Sequence, residues 1–208
     1  LEYYISNPGV LSGGCHVAFS TVLYDGCRKA IRNTIADDGC QSPNDLTDTY
    51  LAVLASLALR MHEKKRSEIE VRELSELVTN WGKEYGIDIS PKAAISIFED
   101  SGILVRCEDG FHDRFSTRRN HSLFVARGID ALMDEDDQRA WGIIIRLLDE
   151  ILYSINEDVI LLLMDIRQRQ KMTMELEVRC RQSVTAFDEF KFKDNHPCFE
   201  GFEGARFK

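Results

Sequence analysis

Glycine, cysteine and histidine stand together near the start of the chain, at Gly13-Gly14-Cys15-His16. A glycine-rich turn can cradle a phosphate, and a Cys-His pair can supply a nucleophile with its base. A phosphate loop, however, requires G-x-x-x-x-G-K-[ST], and no lysine follows these glycines. Cys15 and His16 also lack a third group that would orient the histidine. We therefore interpret the cluster as a flexible turn, and we predict no catalytic site in the chain.

Three further residues, Cys107, His112 and His121, are of types that bind zinc. Their spacing matches none of the zinc modules, and a fourth ligand is missing. We interpret them as belonging to the edge of a hairpin with surface histidines. The sequence therefore predicts no metal site and no cofactor.

Two short basic stretches could offer local positive charge in a chain whose net charge is -9. The run Lys64–Arg66 follows a predicted helix, whose C-terminal dipole it would complement. The second stretch could form a basic patch for DNA phosphates, or could pair within the protein with acids such as those of 134–137. Its four arginines are Arg114, Arg118, Arg119 and Arg127.

A winged-helix domain is predicted over residues 46–133. Its helices are marked by apolar residues on one face and by capping residues at their ends. We predict them at 46–65, with Thr47 or Asp48 as the cap, at 71–85, ended by Gly86, and from the cap Ser90-Pro91 onward.

A tight hairpin follows the third of these helices. Asp109-Gly110 supplies the positive backbone angles of a short turn, and the strands are predicted at 103–105 and 111–115. In a DNA-binding winged helix, the third helix enters the major groove and offers Arg, Lys, Asn or Gln to the bases. Its outward positions in this chain include two acids, which phosphate would repel; they are Lys92, Ser96, Glu99 and Asp100.

Helices are also predicted on both sides of the winged helix, so the fold class is mainly α with one β-hairpin. The segment 1–45 is predicted to hold one helix, and the segment 134–186 a helical bundle. Inside the bundle, an all-apolar run is typical of a buried helix. The predicted helices are 20–35, 139–154, and 159–182 with Glu157-Asp158 as its cap and Val159–Met164 as its apolar run.

The C-terminal tail, residues 187–208, differs in composition from the rest of the chain. Phenylalanines alternate there with charges and are interrupted by glycine and proline. Such a segment cannot form a core alone, so it either packs back on the domain as an extended strand or docks on a partner protein. The predicted docking residues are Phe190, Phe192, Phe199 and Phe202.

The chain carries no recognisable signal peptide and no predicted membrane span. Its longest uninterrupted apolar run, Val159–Met164, is far shorter than the roughly 20 residues that a bilayer requires. The six cysteines form no C-x-x-C pair, and we interpret them as reduced, mostly buried thiols. We predict a soluble, cytoplasmic protein without membrane contacts.

The segment F-S-T-R-R-N-H-S-L-F-V-A-R, Phe115 to Arg127, resembles the end of the winged helix in STAND-class NTPases, the NACHT-type sensors that include bacterial antiphage proteins. Phe124 follows Phe115 at the family's spacing, and the likeness extends over residues 46–170 at the level of pattern. In many members, a histidine two positions after the first phenylalanine touches the nucleotide's phosphate. Thr117 stands at that position and can hydrogen-bond a phosphate without adding positive charge. The chain has no Walker A loop or Walker B strand, so the resemblance implies a nucleotide-hydrolysing part upstream of Leu1.

Three functions remain open on these observations. The first is a non-catalytic regulatory module of a STAND-type ATPase, serving as a defence sensor or signalling switch in contact with other protein domains. The second is a winged-helix transcription regulator that binds DNA through its arginines. The third is a protein–protein adaptor or assembly subunit. The chain itself is not predicted to be an enzyme, because it offers no set of nucleophile, base and orienting group.

Overall fold

The computed structural model describes residues 19–37, 43–150, 154–167 and 172, and these are mainly helical. They form seven helices and one small, three-stranded antiparallel sheet. The helices are α1 (Phe19–Asp37), α2 (Pro43–Glu63), α3 (Val71–Tyr85), α4 (Pro91–Asp100), α5 (Arg118–Glu135), α6 (Asp137–Asp149) and α7 (Ser154–Ile166). The strands are β1 (Ile69–Glu70), β2 (Leu104–Arg106) and β3 (His112–Phe115).

The C-terminal end of α3 and the N-terminal end of α4 lie where their capping residues predict them. α3 ends at Gly86, whose left-handed φ of 67° lets its N–H reach the carbonyl of Gly82. α4 begins after Ser90, whose side-chain oxygen accepts a hydrogen bond from the N–H of Ala93 at 3.4 Å. Pro91 occupies the first turn, where no backbone N–H is needed.

Helix α2 differs from its predicted bounds at both ends. It begins at Pro43, so Thr47 and Asp48 lie inside the helix and do not cap it. It ends at Glu63 because Lys65 takes a left-handed φ of 53°. The N–H of Lys65 and the next N–H bond back into the last turn, both at 2.9 Å, as in a Schellman motif. Lysine rarely adopts this conformation, so the residue type does not predict where the helix ends.

The sheet has the strand order β1-β3-β2, and both pairs are antiparallel. The turn between β2 and β3 is held by Asp109, whose carboxylate accepts hydrogen bonds from the N–H groups of Phe111 and His112 at 2.8 and 3.1 Å. Gly110 supplies the positive φ of 73°. The predicted hairpin is therefore present, with each strand beginning one residue later than predicted.

The prediction of a single hairpin missed the third strand, β1. Ile69 pairs with Asp113, and the N–H of Val71 donates to the carbonyl of Phe111 at 2.9 Å. A strand of two residues is too short for an alternating pattern to reveal it. Because β1 runs directly into α3, it joins the hairpin to the helices.

Asp136 separates helices α5 and α6. Its N–H bonds to the carbonyl of Leu132 at 2.7 Å, and its side chain accepts from the N–H of Arg139 at 3.1 Å. α6 therefore begins at Asp137, inside the acidic stretch predicted to start a helix. It ends at Asp149, so the predicted extent of 139–154 is wrong at both ends.

Helix α7 begins at Ser154, so Glu157-Asp158 lies within the helix and is not its cap. The apolar run Val159–Met164 is buried throughout, as predicted. The predicted continuation to residue 182 lies outside the described residues, apart from Met172, which is buried. None of the helices in the described part of the chain is both long enough and apolar enough to cross a membrane.

Helix α5 lies at the centre of the apolar core. Residues 123–126 and Ile129 are completely inaccessible, and the helix packs on α2 and α7. A Cβ atom on Gly128 would lie 2.7 Å from the carbonyl oxygen of Ala55, so this glycine allows α2 to approach closely. One cluster of buried apolar side chains runs from α1 to Met172. The domain boundaries proposed at 45/46 and 133/134 stay predictions.

Candidate functional site

The two phenylalanines of the STAND resemblance pack against each other at the start of α5. The ring centroids of Phe115 and Phe124 are 5.8 Å apart, and both side chains are buried. The imidazole of His121 stacks on the ring of Phe115, with 5.0 Å between the ring centroids and an angle of 9° between the ring planes. The segment thus forms a compact aromatic group where β3 passes into α5.

Thr117, the residue at the predicted phosphate position, is the N-cap of α5. Its backbone is extended, and its side-chain oxygen accepts a hydrogen bond from the N–H of Asn120 at 3.1 Å. The residue is exposed, and the amide of Asn120 donates to the Ser116 hydroxyl at 3.3 Å. Thr117 therefore has a structural role at the helix start, and its contact with a nucleotide stays a prediction.

His121 is buried, contrary to the prediction of a surface histidine. Its exposed fraction is 8%, and its Nε2 has no hydrogen-bond partner among the described residues. Burial lowers the pKa of His121 to about 4, although a hydrogen bond with the Ala58 backbone acts in the opposite direction. The imidazole is therefore neutral at physiological pH. The residue type alone does not show whether a histidine is buried, since histidines occur both in protein cores and on surfaces.

The other residues considered as metal ligands do not converge with His121. His112 is bonded through Nδ1 to the Asp109 carboxylate at 2.5 Å, and this contact raises the pKa of His112. Cys107 lies on the hairpin and is a free thiol. Within residues 19–37, 43–150 and 154–167, no three His, Cys, Asp or Glu side chains are grouped so that they could hold a metal ion.

Cys27 in α1 is a buried, free thiol. Burial raises its pKa to about 11, so the sulfur stays protonated and is a poor nucleophile at neutral pH. Its Sγ lies 3.9 Å from the Oδ1 of Asn120, which is a weak contact between α1 and α5.

Three of the four arginines predicted as a patch have partners inside the protein. Arg118 contacts the Asp158 carboxylate of α7 at 2.8 Å. The guanidinium carbon of Arg119 lies 5.8 Å from the ring centroid of Phe19. That of Arg127 lies 4.2 Å from the ring centroid of Tyr24. These side chains therefore connect α5 with α1 and α7.

Arg114, the remaining member of that set, is exposed on β3. Its neighbours along the strand, Asp113 and Phe115, are buried on the opposite face of the sheet. Of the acids predicted as partners of the arginines, Asp134 pairs instead with Arg167, at 2.7 Å. The structure thus does not assemble the four arginines into one unpaired surface.

The basic run Lys64–Arg66 is likewise paired with acids. Lys64 and Arg66 contact the carboxylate of Glu73 in α3, at 2.5 and 3.0 Å. Lys65 contacts Glu150 at 2.8 Å. These exposed pairs contribute little to stability individually, but they leave less free positive charge for a polyanion.

A groove of about 630 Å³ lies between α3 and α4. Val71 and Ile95 form apolar parts of its wall, and Lys92 stands on the α4 side. At one end, Glu99 and Arg106 contribute an ion pair. Three of the four predicted outward residues of α4, Lys92, Ser96 and Glu99, therefore line a shallow surface of mixed charge.

Sequence reasoning missed a charged cluster beneath this groove. Asp113, on β3, is completely inaccessible, and its Oδ1 accepts a hydrogen bond from the Nε of Arg106 at 2.7 Å. The same Nε also donates to Oε1 of Glu99 at 2.9 Å, and Nη1 of Arg106 donates to the carbonyl of Gly110 at 3.2 Å. The available signal was the alternation in His112–Phe115, which places Asp113 on the same face as Phe115.

The predicted docking residues of the tail, Phe190, Phe192, Phe199 and Phe202, lie outside the described residues. Comparison of the chain with protein-family models, with curated proteins and with solved structures gives no significant match.

Proposed function

We propose that this chain is a non-catalytic regulatory and interaction module built on a winged helix, as in STAND-type ATPases that act as defence sensors or signalling switches. The observation that supports it best is the order of elements α2-β1-α3-α4-β2-β3, combined with the sheet order β1-β3-β2. In a winged helix, a first short strand joins the hairpin at the edge of a three-stranded sheet. Because the fold alone serves many functions, the choice among them depends on its surfaces.

The start of α5 supports a switch role. The resemblance puts Thr117 beside the phosphate of a nucleotide held by a neighbouring domain, and Thr117 is exposed at a helix N-terminus. The backbone N–H groups and the dipole at such a terminus favour an anion. In this proposal, the winged helix moves as a rigid body about its linkers when the nucleotide changes.

The charges of the described surface favour protein contact over DNA contact. α4 presents Lys92 together with Glu99 and Asp100, and phosphates repel such acids. A DNA-binding regulator is the competing proposal, and the exposed Arg114 is the arginine on which it would depend. An adaptor with no nucleotide partner is the third alternative.

The experiment is hydrogen exchange on the protein as its gene encodes it, loaded with ADP or with a non-hydrolysable ATP analogue. We expect the exchange of amides in the hairpin and in the first turn of α5 to differ between the two states. Identical exchange in both states would contradict the switch proposal and favour the adaptor.

DNA binding is tested separately, by the anisotropy of a labelled duplex at about 50 and about 200 mM salt. We expect no binding that falls steeply with salt. If such binding is found, and if Arg114→Ala weakens it while Arg72→Ala does not, the DNA-binding regulator replaces our proposal.

A further inference from the structure

The cluster of Glu99, Arg106 and Asp113 contains two carboxylates and one guanidinium. Arg106 contacts both acids, through 2.7 and 2.9 Å hydrogen bonds of its Nε. The acids come from different elements, since Glu99 belongs to α4 and Asp113 to β3. Arg106 itself is on β2, so the cluster holds the hairpin against the helix.

Asp113 is the member with an unsatisfied group. Its side chain is 0% exposed, and its Oδ2 has no hydrogen-bond donor among the described residues. The Glu99 carboxyl lies beside the Asp113 carboxyl, because both accept a hydrogen bond from the same Nε of Arg106. Two ionised carboxylates cannot hydrogen-bond each other, because both only accept. A single proton placed between them would satisfy the buried oxygen.

The surroundings of Asp113 favour that proton. β2 contributes Arg106, α4 contributes Glu99, and β1 contributes the buried, apolar Ile69 opposite Asp113. Burial raises the pKa of Asp113, Arg106 lowers it and the Glu99 carboxylate raises it, and the net result is a raised pKa. One guanidinium therefore faces two negative charges, of which that of Asp113 is fully buried and that of Glu99 is partly exposed.

We propose that Glu99 and Asp113 share one proton, held on Oδ2 of Asp113 and donated to the Glu99 carboxylate, and that this proton strengthens the attachment of the hairpin to α4. Loss of the proton at higher pH leaves net negative charge in the cluster and loosens the hairpin. Acid thus tightens this contact. The inference does not depend on the proposed function, because it involves neither nucleotide nor DNA.

The sign of the effect on stability follows from linkage. The folded protein binds the proton more tightly than the unfolded chain does, so this group favours folding at low pH, and the contribution is lost as pH rises through the folded pKa. Each unit of difference between the two pKa values corresponds to about a tenfold change in the unfolding equilibrium constant.

The main test compares the wild type with Asp113→Asn by urea unfolding at about pH 4.5 and about pH 7.5. Asparagine has nearly the same shape, and its amide can donate to Glu99 as the protonated acid does. We expect the variant to gain stability relative to the wild type as pH rises, by about tenfold or more in the unfolding constant. A variant that is less stable than the wild type by the same factor at both pH values would show that Asp113 is an ordinary ionised partner of Arg106, and would overturn the proposal.

A second measurement does not depend on the folding of that variant. The side-chain carbon shifts of Asp113 are titrated by NMR in the wild type and in Glu99→Gln. We expect a midpoint above about 3.8 in the wild type and a lower midpoint in Glu99→Gln, whose amide donates to the charged carboxylate. A wild-type midpoint at or below the ordinary value excludes the shared proton.

Discussion

Arg127 of α5 places its guanidinium carbon 4.2 Å from the ring centroid of Tyr24 in α1. The contact is partly desolvated, since burial raises the pKa of Tyr24. We expect Arg127→Ala to lower the free energy of unfolding by about 1–2 kcal/mol, through the loss of this cation–π contact and of side-chain packing. Urea unfolding measures the change. Arg114→Ala removes the same charge from an exposed strand position, and we expect it to change stability by less than about 0.5 kcal/mol.

Gly128 is expected to be intolerant of a side chain, unlike Gly142 in α6. A Cβ at Gly128 would meet the Ala55 carbonyl oxygen at 2.7 Å and the Leu59 Cβ at 3.0 Å, whereas nothing lies within 4 Å of one at Gly142. We expect Gly128→Ala to destabilise the protein by about 1–3 kcal/mol and Gly142→Ala to stabilise it by about 0.5–1 kcal/mol. Thermal unfolding of both variants provides the comparison. Equal effects of the two substitutions would mean that α2 and α5 are farther apart than described.

Two substitutions at Thr117 test its role as the N-cap of α5. Thr117→Ala removes the acceptor for the Asn120 N–H and should cost about 1 kcal/mol, whereas Thr117→Ser retains a hydroxyl and should change stability by only a few tenths of a kcal/mol. The free energy of unfolding in urea distinguishes the two variants. If alanine has no effect on it, Thr117 is not an effective cap.

His121 is expected to make the protein sensitive to acid. The pKa of His121 in the folded protein is about 4, below the ordinary 6.5. Between these two pH values the unfolded chain binds more protons than the folded protein does. Stability is therefore lost as pH falls from about 6.5 to about 4. The loss attributable to this group is about 3 kcal/mol. We expect His121→Gln to show a smaller loss than the wild type in unfolding measurements across this range.

The control for that titration is His112→Gln. His112 is bonded to Asp109, which raises its pKa, so its contribution to stability is present at low pH and is lost as pH rises. The acid-dependent loss should therefore persist when His112 is replaced. An undiminished loss in His121→Gln would contradict the assignment to His121.

The helices of this protein could be predicted where local chemistry sets their ends. Gly86 and Ser90-Pro91 act through their own backbone conformations, so their effect is visible in the sequence. Lys65 ends α2 in a left-handed conformation that lysine rarely adopts, and β1 exists because β3 lies beside it. Neither of these features can be derived from the residues that form them.

The chemistry of the candidate site was harder to predict than the fold. A cluster of arginines indicates positive charge, but their partners, Asp158, Phe19 and Tyr24, are distant in sequence. Asp113 illustrates the same limit, because the alternation of its strand indicates the buried face but does not indicate that a second acid lies beside it. Pairing between distant elements decides both cases.

The close approach of α5 to α2 at Gly128 has a mechanical consequence. α5 is a rod of 18 residues, about 27 Å long, with the hairpin joined to its first turn. Arg167, directly after α7, binds Asp130 and Asp134 in the last turns of α5. If α5 tilts about the Gly128 contact as a fulcrum, its two ends move in opposite directions. The arm toward Arg118 is the longer one, at about 15 Å against about 10 Å, so a small displacement applied through α7 is magnified at the hairpin.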